Sequence, residues 1–497
     1  MANGAVLIVR AEPVTSHPMS FTSLAFWVFL PVVLVLFHGP CRKSLRGQNI
    51  LLVVASYVFY GWWDWRFLSL IALSTITDFA LGRMLSRTEE VQRRKAALWM
   101  SLVVNLGLLG FFKYAGFFVD SWVDAWAKVG ITMHRPALQI ILPVGISFYT
   151  FQTLSYTIDV YRRQLKASQD LIEFAAYVSF FPQLVAGPIE RASRLLPQLQ
   201  RTRRVTESAV LLGLRMMVWG LFKKVVIADS AAQYANAIFG DSQGTQGPML
   251  AVGIVAFAIQ IYGDFSGYSD MAIGLGRLFG LRLKSNFRFP YFSRNVAEFW
   301  RRWHISLNTW FRDYVYIPLG GSRGGRWTAL RNVTVVFLVS GLWHGADWKY
   351  VVWGGIHAAM FVPVFWMGRN RISWEGWHWT YGFRALGTFV LVCFAWIFFR
   401  ADSMSHALQV VDGLVWGWSR GLEGWDAMRS FWNPTDERLF GLVFLGFGVL
   451  EWLQFRRGIR WMWRGLWRGS WVEGLLLLIT LVFSLRNEAS TFIYFTF

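Results

Sequence analysis

Uncharged apolar stretches recur along this chain from Phe21 onward, and clusters of arginine and lysine close every second one. Backbone N–H and C=O groups in hydrocarbon must be satisfied within the chain, so such stretches fold as helices. No polar interval between them is large enough to fold alone. The sequence therefore reads as one all-α membrane domain over 21–497, preceded by a polar N-terminal extension, 1–20, with Met19 as the expected natural start. Hydrophobic residues make up 55% of the chain and charged residues 16%, with 29 Trp and 43 Phe, which excludes a water-soluble globular protein.

The basic clusters set the topology. The first span, Phe21 to Phe37, ends at Arg42, Lys43 and Arg46, which places that loop in the cytoplasm and the N-terminus outside. Further spans are expected near 49–62, 67–83, 96–119, 137–161, 207–228, from Met249, near 349–367, 383–399, 439–455 and 472–486. Residues 171–188 are apolar but interrupted by Pro182, Gly187 and Pro188, which fits a re-entrant or interfacial segment better than a crossing. Residues 230–247 read as an outside loop. Twelve crossings satisfy parity, or ten if the helices around His344 only dip in and return, and both termini then lie outside. The formal charge of +20 thus reads as a topology signal rather than a nucleic-acid surface. Two distant cysteines make neither a disulfide framework nor a metal site, and no Walker A loop or dinucleotide fingerprint is present.

The most informative stretch is Glu298 to Gly345. Taken as one helix, its first half puts Phe299, Trp300, Trp303, Leu307, Trp310, Phe311 and Tyr314 on one arc, with Glu298, Arg301, Arg302 and Arg312 opposite. That pattern suits a helix lying in a membrane interface or packed beneath a bundle. His304 falls at the seam, and Asn308 one turn on shares its edge. The second half is an uncharged run, Asn332 to Trp343, followed directly by His344. A helix entering the bilayer near Arg331 carries His344 about 20 Å deep, past the middle of a hydrocarbon core about 30 Å thick. Gly341 and Gly345 leave room beside it. An ionisable side chain at that depth points to function, the other reading being a core histidine hydrogen-bonded between helices.

Other polar groups have bland and functional readings side by side. Asp264, Ser266, Tyr268 and Asp270 sit at membrane depth and either brace helices or line a water-filled path. The glycine turn LGGSRGGR, with Arg323 and Arg326, either ends the preceding helix or offers amides to a phosphate. His357 is read as a packing residue, placed about one span beyond His344 where it is able to face it.

Two buried histidines in neighbouring segments suit acyl transfer. Neutral imidazole takes the proton from a hydroxyl, and a second histidine, Asn308 or an indole N–H of Trp303 or Trp343 then stabilises the tetrahedral oxyanion. The arginine face, Arg301 and Arg302, with Arg323 and Arg326, is suited to a phosphate-bearing acyl carrier on the cytoplasmic side.

The segments FWRRWHISLNTWFRDYVYIPLGG and GLWHGADWKYVVWGGIHA resemble the two signature regions of the membrane-bound O-acyltransferases. ILPVGISFYTFQTLSYTIDVYR, FFPQLVAGPIER and DFSGYSDMAIGLG resemble the bacterial branch containing alginate O-acetylation and teichoic-acid D-alanylation proteins. The resemblance covers most of the chain from Phe21 to about Phe399. It implies that His344 matches the catalytic histidine and His304 the second active-site position. It also implies a central tunnel through a bacterial inner membrane with both termini periplasmic. An acetyl-thioester donor, acetyl-coenzyme A or an acyl carrier protein, would then be used on the cytoplasmic side without any resident cofactor or metal. The acceptor would be an exported polysaccharide such as alginate or cellulose, reached with a periplasmic hydrolase-like partner protein; peptidoglycan sugars and teichoic-acid carriers remain open as acceptors. Two rival classes stand beside this: a transporter or channel for protons or lipid-linked sugars, and a non-catalytic subunit of an export complex.

Overall fold

The computed structural model describes residues 19–134, 140–185, 187–240, 247–368, 379–420, 434–458, 471–486 and 492. The extension before Met19, the loop residue Asp241 and the C-terminal end expected outside lie beyond them. The described residues contain helices and no strand. The chain divides into two compact units, Met1–Thr206 with Gly276–Leu283, and Glu207–Leu275 with Lys284–Phe497.

The first unit contains α1 (Leu24–His38), α2 (Leu45–Asp64), α3 (Leu68–Arg87), α4 (Val91–Leu109), α5 (Ala115–Lys128), α6 (Ile146–Tyr161), α7 (Leu171–Ser179), α8 (Phe181–Leu184) and α9 (Ala192–Leu199). A short 3-10 turn at Trp65–Phe67 joins α2 to α3, where the WWDW sequence predicts a tight connection. The helix α6 is buried along nearly its whole length. It helps enclose the Asp78 carboxylate, which accepts hydrogen bonds from Ser101, from Thr157 Oγ1 at 2.7 Å and from Asn105 Nδ2 at 2.7 Å. Asn105 in turn accepts from Ser74 at 2.7 Å and Thr153 at 3.0 Å. A buried carboxylate without such donors costs several kcal/mol. Nine residues of α7 span about 14 Å, too short to cross a bilayer, as the proline and glycine breaks predict.

The second unit contains α10 (Glu207–Phe222), α11 (Asp229–Gly240), α12 (Pro248–Leu278, its last turn belonging to the first unit), α13 (Val296–Arg302), α14 (Ile305–Phe311), α15 (Gly325–His344), α16 (Trp348–Trp366), α17 (Trp379–Arg400), α18 (Met404–Trp416), α19 (Pro434–Arg457) and α20 (Trp471–Arg486). A π-helical turn, Lys223–Ala228, links α10 to α11. Residues 230–240, expected in a loop, therefore remain helical, because that wide turn accommodates two lysines inside the apolar run and gives their charges partners. Lys224 Nζ lies 2.8 Å from Asp229 and 2.9 Å from Asp264, and Lys223 Nζ lies 2.5 Å from Asp270 and 3.0 Å from Ser266 Oγ. Pairing offsets the cost of burying each charge. The membrane-depth aspartates of α12 are thus ion-paired bracing groups.

Among the described residues, five helical stretches are by length and composition able to cross a membrane: Leu45–Arg87, Val91–Lys128, Pro248–Leu278, Trp379–Arg400 and Arg438–Arg457. Leu24, Trp379, Phe383 and Leu485 are each at least 74% exposed. Apolar surface spread over many helices is expected where lipid, rather than water, is the solvent. The protein is a multi-pass helical membrane protein.

Candidate active site

The stretch expected to form one amphipathic helix is broken. α13 ends at Arg302, Trp303 is extended, and His304 adopts φ 45° and ψ 54°, the left-handed region, before α14 starts at Ile305. A non-glycine residue there is strained by about 1–2 kcal/mol, so the surroundings must hold it. Asn286 does so from one side: its main-chain carbonyl accepts from Ile305 N at 2.9 Å, and its side-chain oxygen accepts from Ser306 N at 3.2 Å and Ser306 Oγ at 2.6 Å. On the other side Asn308 donates its amide protons to the carbonyls of Trp300 and, at 2.7 Å, Trp303. Both donors of Asn308 are thereby committed to the backbone, which makes it a brace of the break.

The break resets the helical phase: the apolar residues of the expected arc are buried or half-buried and Arg301 and Arg312 exposed, but Glu298 and Arg302 turn inward. Arg302, assigned to the polar face, is buried and paired with Glu298, which also binds Arg294 at 3.0 Å. His304, assigned to a seam, is completely buried. Its ring meets Phe265 edge-on at 4.6 Å and Trp343 at 6.0 Å between centroids. Trp303 is also buried, stacked on Phe299 at 5.5 Å. Arg301, Arg323 and Arg326 remain exposed.

His344 is the last residue of α15, as the uncharged run predicts, although that helix begins earlier, at Gly325. α15 and α16 pack backbone to backbone. A Cβ on Gly341 would collide with the Tyr350 carbonyl oxygen, and one on Gly354 with that of Phe337. The room that Gly341 and Gly345 leave is thus filled by Tyr350, whose ring covers Gly345. His344 is 4% exposed and contacts three rings edge-on: Trp343 at 4.9 Å, Trp353 at 5.1 Å and Phe399 at 5.2 Å. Trp343 therefore touches both His304 and His344, and two imidazoles from separate segments converge on one indole. His357, fully buried, packs edge-on against the same Trp353 ring at 4.9 Å.

Beside Ile305, the residue after His304, opens a cavity of about 420 Å³. Lys223, Asp270, Glu451, Gln454, Arg288 and Arg302 line it together with aromatic rings. Tyr262 donates to Glu451 at 2.6 Å, while Gln454 Nε2 is buried with no partner among the described residues. No cluster of metal-ligating side chains occurs among the described residues.

Sequence reasoning placed His304, His344, Trp303 and Trp343 in what proves to be one aromatic cluster. It missed Trp300, Trp353 and the cavity residues Lys223, Glu451 and Gln454. Of these Lys223, with Lys224 beside it, and Glu451 carried a signal as charges within apolar runs, since charge at membrane depth is rarely idle.

The chain matches the model of the membrane-bound O-acyltransferase family over residues 58–404. It is 42% identical to a probable alginate O-acetylase of Pseudomonas aeruginosa over 80% of this chain and 75% of that one. It is 34% identical to a peptidoglycan O-acetyltransferase of Helicobacter pylori over 79% of each, and 28% identical to a teichoic acid D-alanyltransferase of Bacillus subtilis over 55% of this chain and 72% of that one.

Proposed function

The chain belongs to the membrane-bound O-acyltransferase family, and on that premise we propose that this membrane O-acetyltransferase moves an acetyl group from a cytoplasmic thioester donor toward the periplasm, to O-acetylate an exported polysaccharide. The observation that carries the reading is the convergence of buried His304 and His344 on Trp343. Transport and a non-catalytic role give way to enzyme chemistry on the family match and on relatives that are O-acetylases.

His344 serves as general base and His304 as its orienting or oxyanion-stabilising partner, with Trp343 and Trp303 fixing the rings and Asn308 the turn. His344 removes the acceptor hydroxyl's proton, and the oxygen attacks the thioester carbonyl. The tetrahedral intermediate collapses with loss of the C–S bond, and the imidazolium returns its proton to the leaving thiolate. Burial keeps competing water away from that intermediate.

The donor is acetyl-coenzyme A or an acyl carrier protein. Its arm enters through the cavity beside Ile305, where Arg288 adds positive charge beside the ion-paired Lys223 and Arg302. Arg301, Arg323 and Arg326 lie at the surface, placed to meet the donor's phosphate. The polymer is of the alginate or cellulose kind, and a periplasmic hydrolase-like protein completes its modification. On this reading the protein lies in the inner membrane with both termini periplasmic, the orientation that the basic loops favour.

The test is His344→Ala in a strain deleted for the native gene, with ester acetate on the exported polysaccharide read by NMR. Acetate is expected to vanish while polymer yield and membrane abundance hold. Persistent acetate overturns the assignment of the base.

A further inference from the structure

Acyl transfer by His344 and His304 leaves His357 unused, although it is fully buried at the heart of the same cluster. Trp300 donates its indole N–H to His357 Nδ1 at 3.2 Å. That bond fixes the neutral tautomer with the proton on Nε2. Trp300 is held at its other end as well, because its carbonyl accepts from Asn308, the brace of the His304 turn. Trp300 therefore belongs to the segment that carries His304, and His357 to the helical hairpin that carries His344. The His357 ring also packs edge-on against Trp353 at 4.9 Å, and Trp353 packs edge-on against His344 at 5.1 Å. One side chain thus reaches His344 through Trp353, and the His304 turn through Trp300 and Asn308.

We infer that His357 is a positioning residue for the transfer, a pin that fixes the His304 turn and the His344 helix end against each other through Trp300 and Trp353. It acts by position, not by proton relay, because the Trp353 indole that contacts both rings does not titrate. The inference rests on the acyl-transfer reading. A base and its partner in separate segments need a rigid link, since a misplacement of about 1 Å costs on the order of 100-fold in rate.

The test measures the initial rate of ester acetate appearance on the exported polysaccharide in the deletion strain, with membrane abundance followed by blot. His357→Leu removes the acceptor for the Trp300 N–H and is expected to slow the rate about 10- to 100-fold. His357→Asn places an oxygen where Nδ1 stood and is expected to recover most of it. Trp300→Phe keeps the ring while deleting the N–H. It should match His357→Leu, and the double variant should be no slower than either single one, the non-additivity expected of one shared contact. A purely space-filling histidine predicts no rescue by asparagine and independent losses. His357→Leu at the wild-type rate, or His357→Asn as slow as His357→Leu, overturns the inference. If His357→Leu does not accumulate, Trp300→Phe decides: wild-type rate rejects the pin. His344→Ala run in parallel separates the two ideas, because acetate retained there defeats the acyl-transfer reading whatever His357 does.

Discussion

At the scale of single residues, the least expected finding is that His304 sits on strained backbone and that Asn308 holds it there. Asn308 is one of the oxyanion donors that the sequence offers, yet its amide protons go to the Trp300 and Trp303 carbonyls. The two roles predict different outcomes. As a brace, Asn308→Ala should lower thermal stability in detergent, the loss of hydrogen bonds to buried carbonyls costing about 1–3 kcal/mol. Asn308→Asp should be worse, since a carboxylate has no N–H and turns its oxygens toward those carbonyls. Melting curves of the purified variants check this. A wild-type melting point with lost acetylation would return Asn308 to the chemistry.

Among elements, the α15–α16 hairpin sets where both His344 and His357 stand, and glycine makes its close approach feasible. Gly341→Ala and Gly354→Ala drive a methyl group into a facing backbone carbonyl, which neither helix relieves without moving. Each should cost about 1–3 kcal/mol and reduce acetylation with it. Gly355, next in sequence to Gly354, has only a Leu338 side-chain atom at 3.9 Å. Gly355→Ala should therefore be silent in both unfolding and ester acetate, and this pair of neighbours tests the packing argument within one turn of one helix. The π-helical turn at Lys223–Ala228 works in the opposite way, widening the helix where two charges must turn inward toward Asp229, Asp264 and Asp270.

For the whole molecule, the two solvents are inverted relative to a water-soluble enzyme. Buried carboxylates and ammonium groups are tied to partners inside, while leucine, valine and tryptophan face outward. Val103 on α4 is 63% exposed, and on a water-facing helix an arginine there would pass unnoticed. Facing lipid, Val103→Arg should cost about 2.5–3.5 kcal/mol if it lies at mid-depth. It should lower the amount of protein recovered in membranes, as a blot of the membrane fraction will register. Wild-type abundance would mean that this face of α4 meets protein or water.

Hydropathy is a property of neighbours along the chain, and its structural consequences are legible in the sequence: the all-helical membrane class, most helix positions, the short broken segment at 171–188, and His344 at the end of an uncharged run. The signature around the two histidines also points to the family before any geometry. The break at His304, the inward turn of Arg302, the pairing of Lys223 and Lys224, and the link from Trp300 through His357 were decided only by tertiary structure. Each depends on a partner brought into place by the fold: Asn286 holding the turn, Glu298 drawing in an arginine once the helix phase is reset, the α12 aspartates receiving the lysines, α16 bringing His357 to α13. A helical wheel assumes unbroken phase. The fold spends about 1–2 kcal/mol of backbone strain at His304 to bring a second imidazole to the tryptophan that His344 already touches.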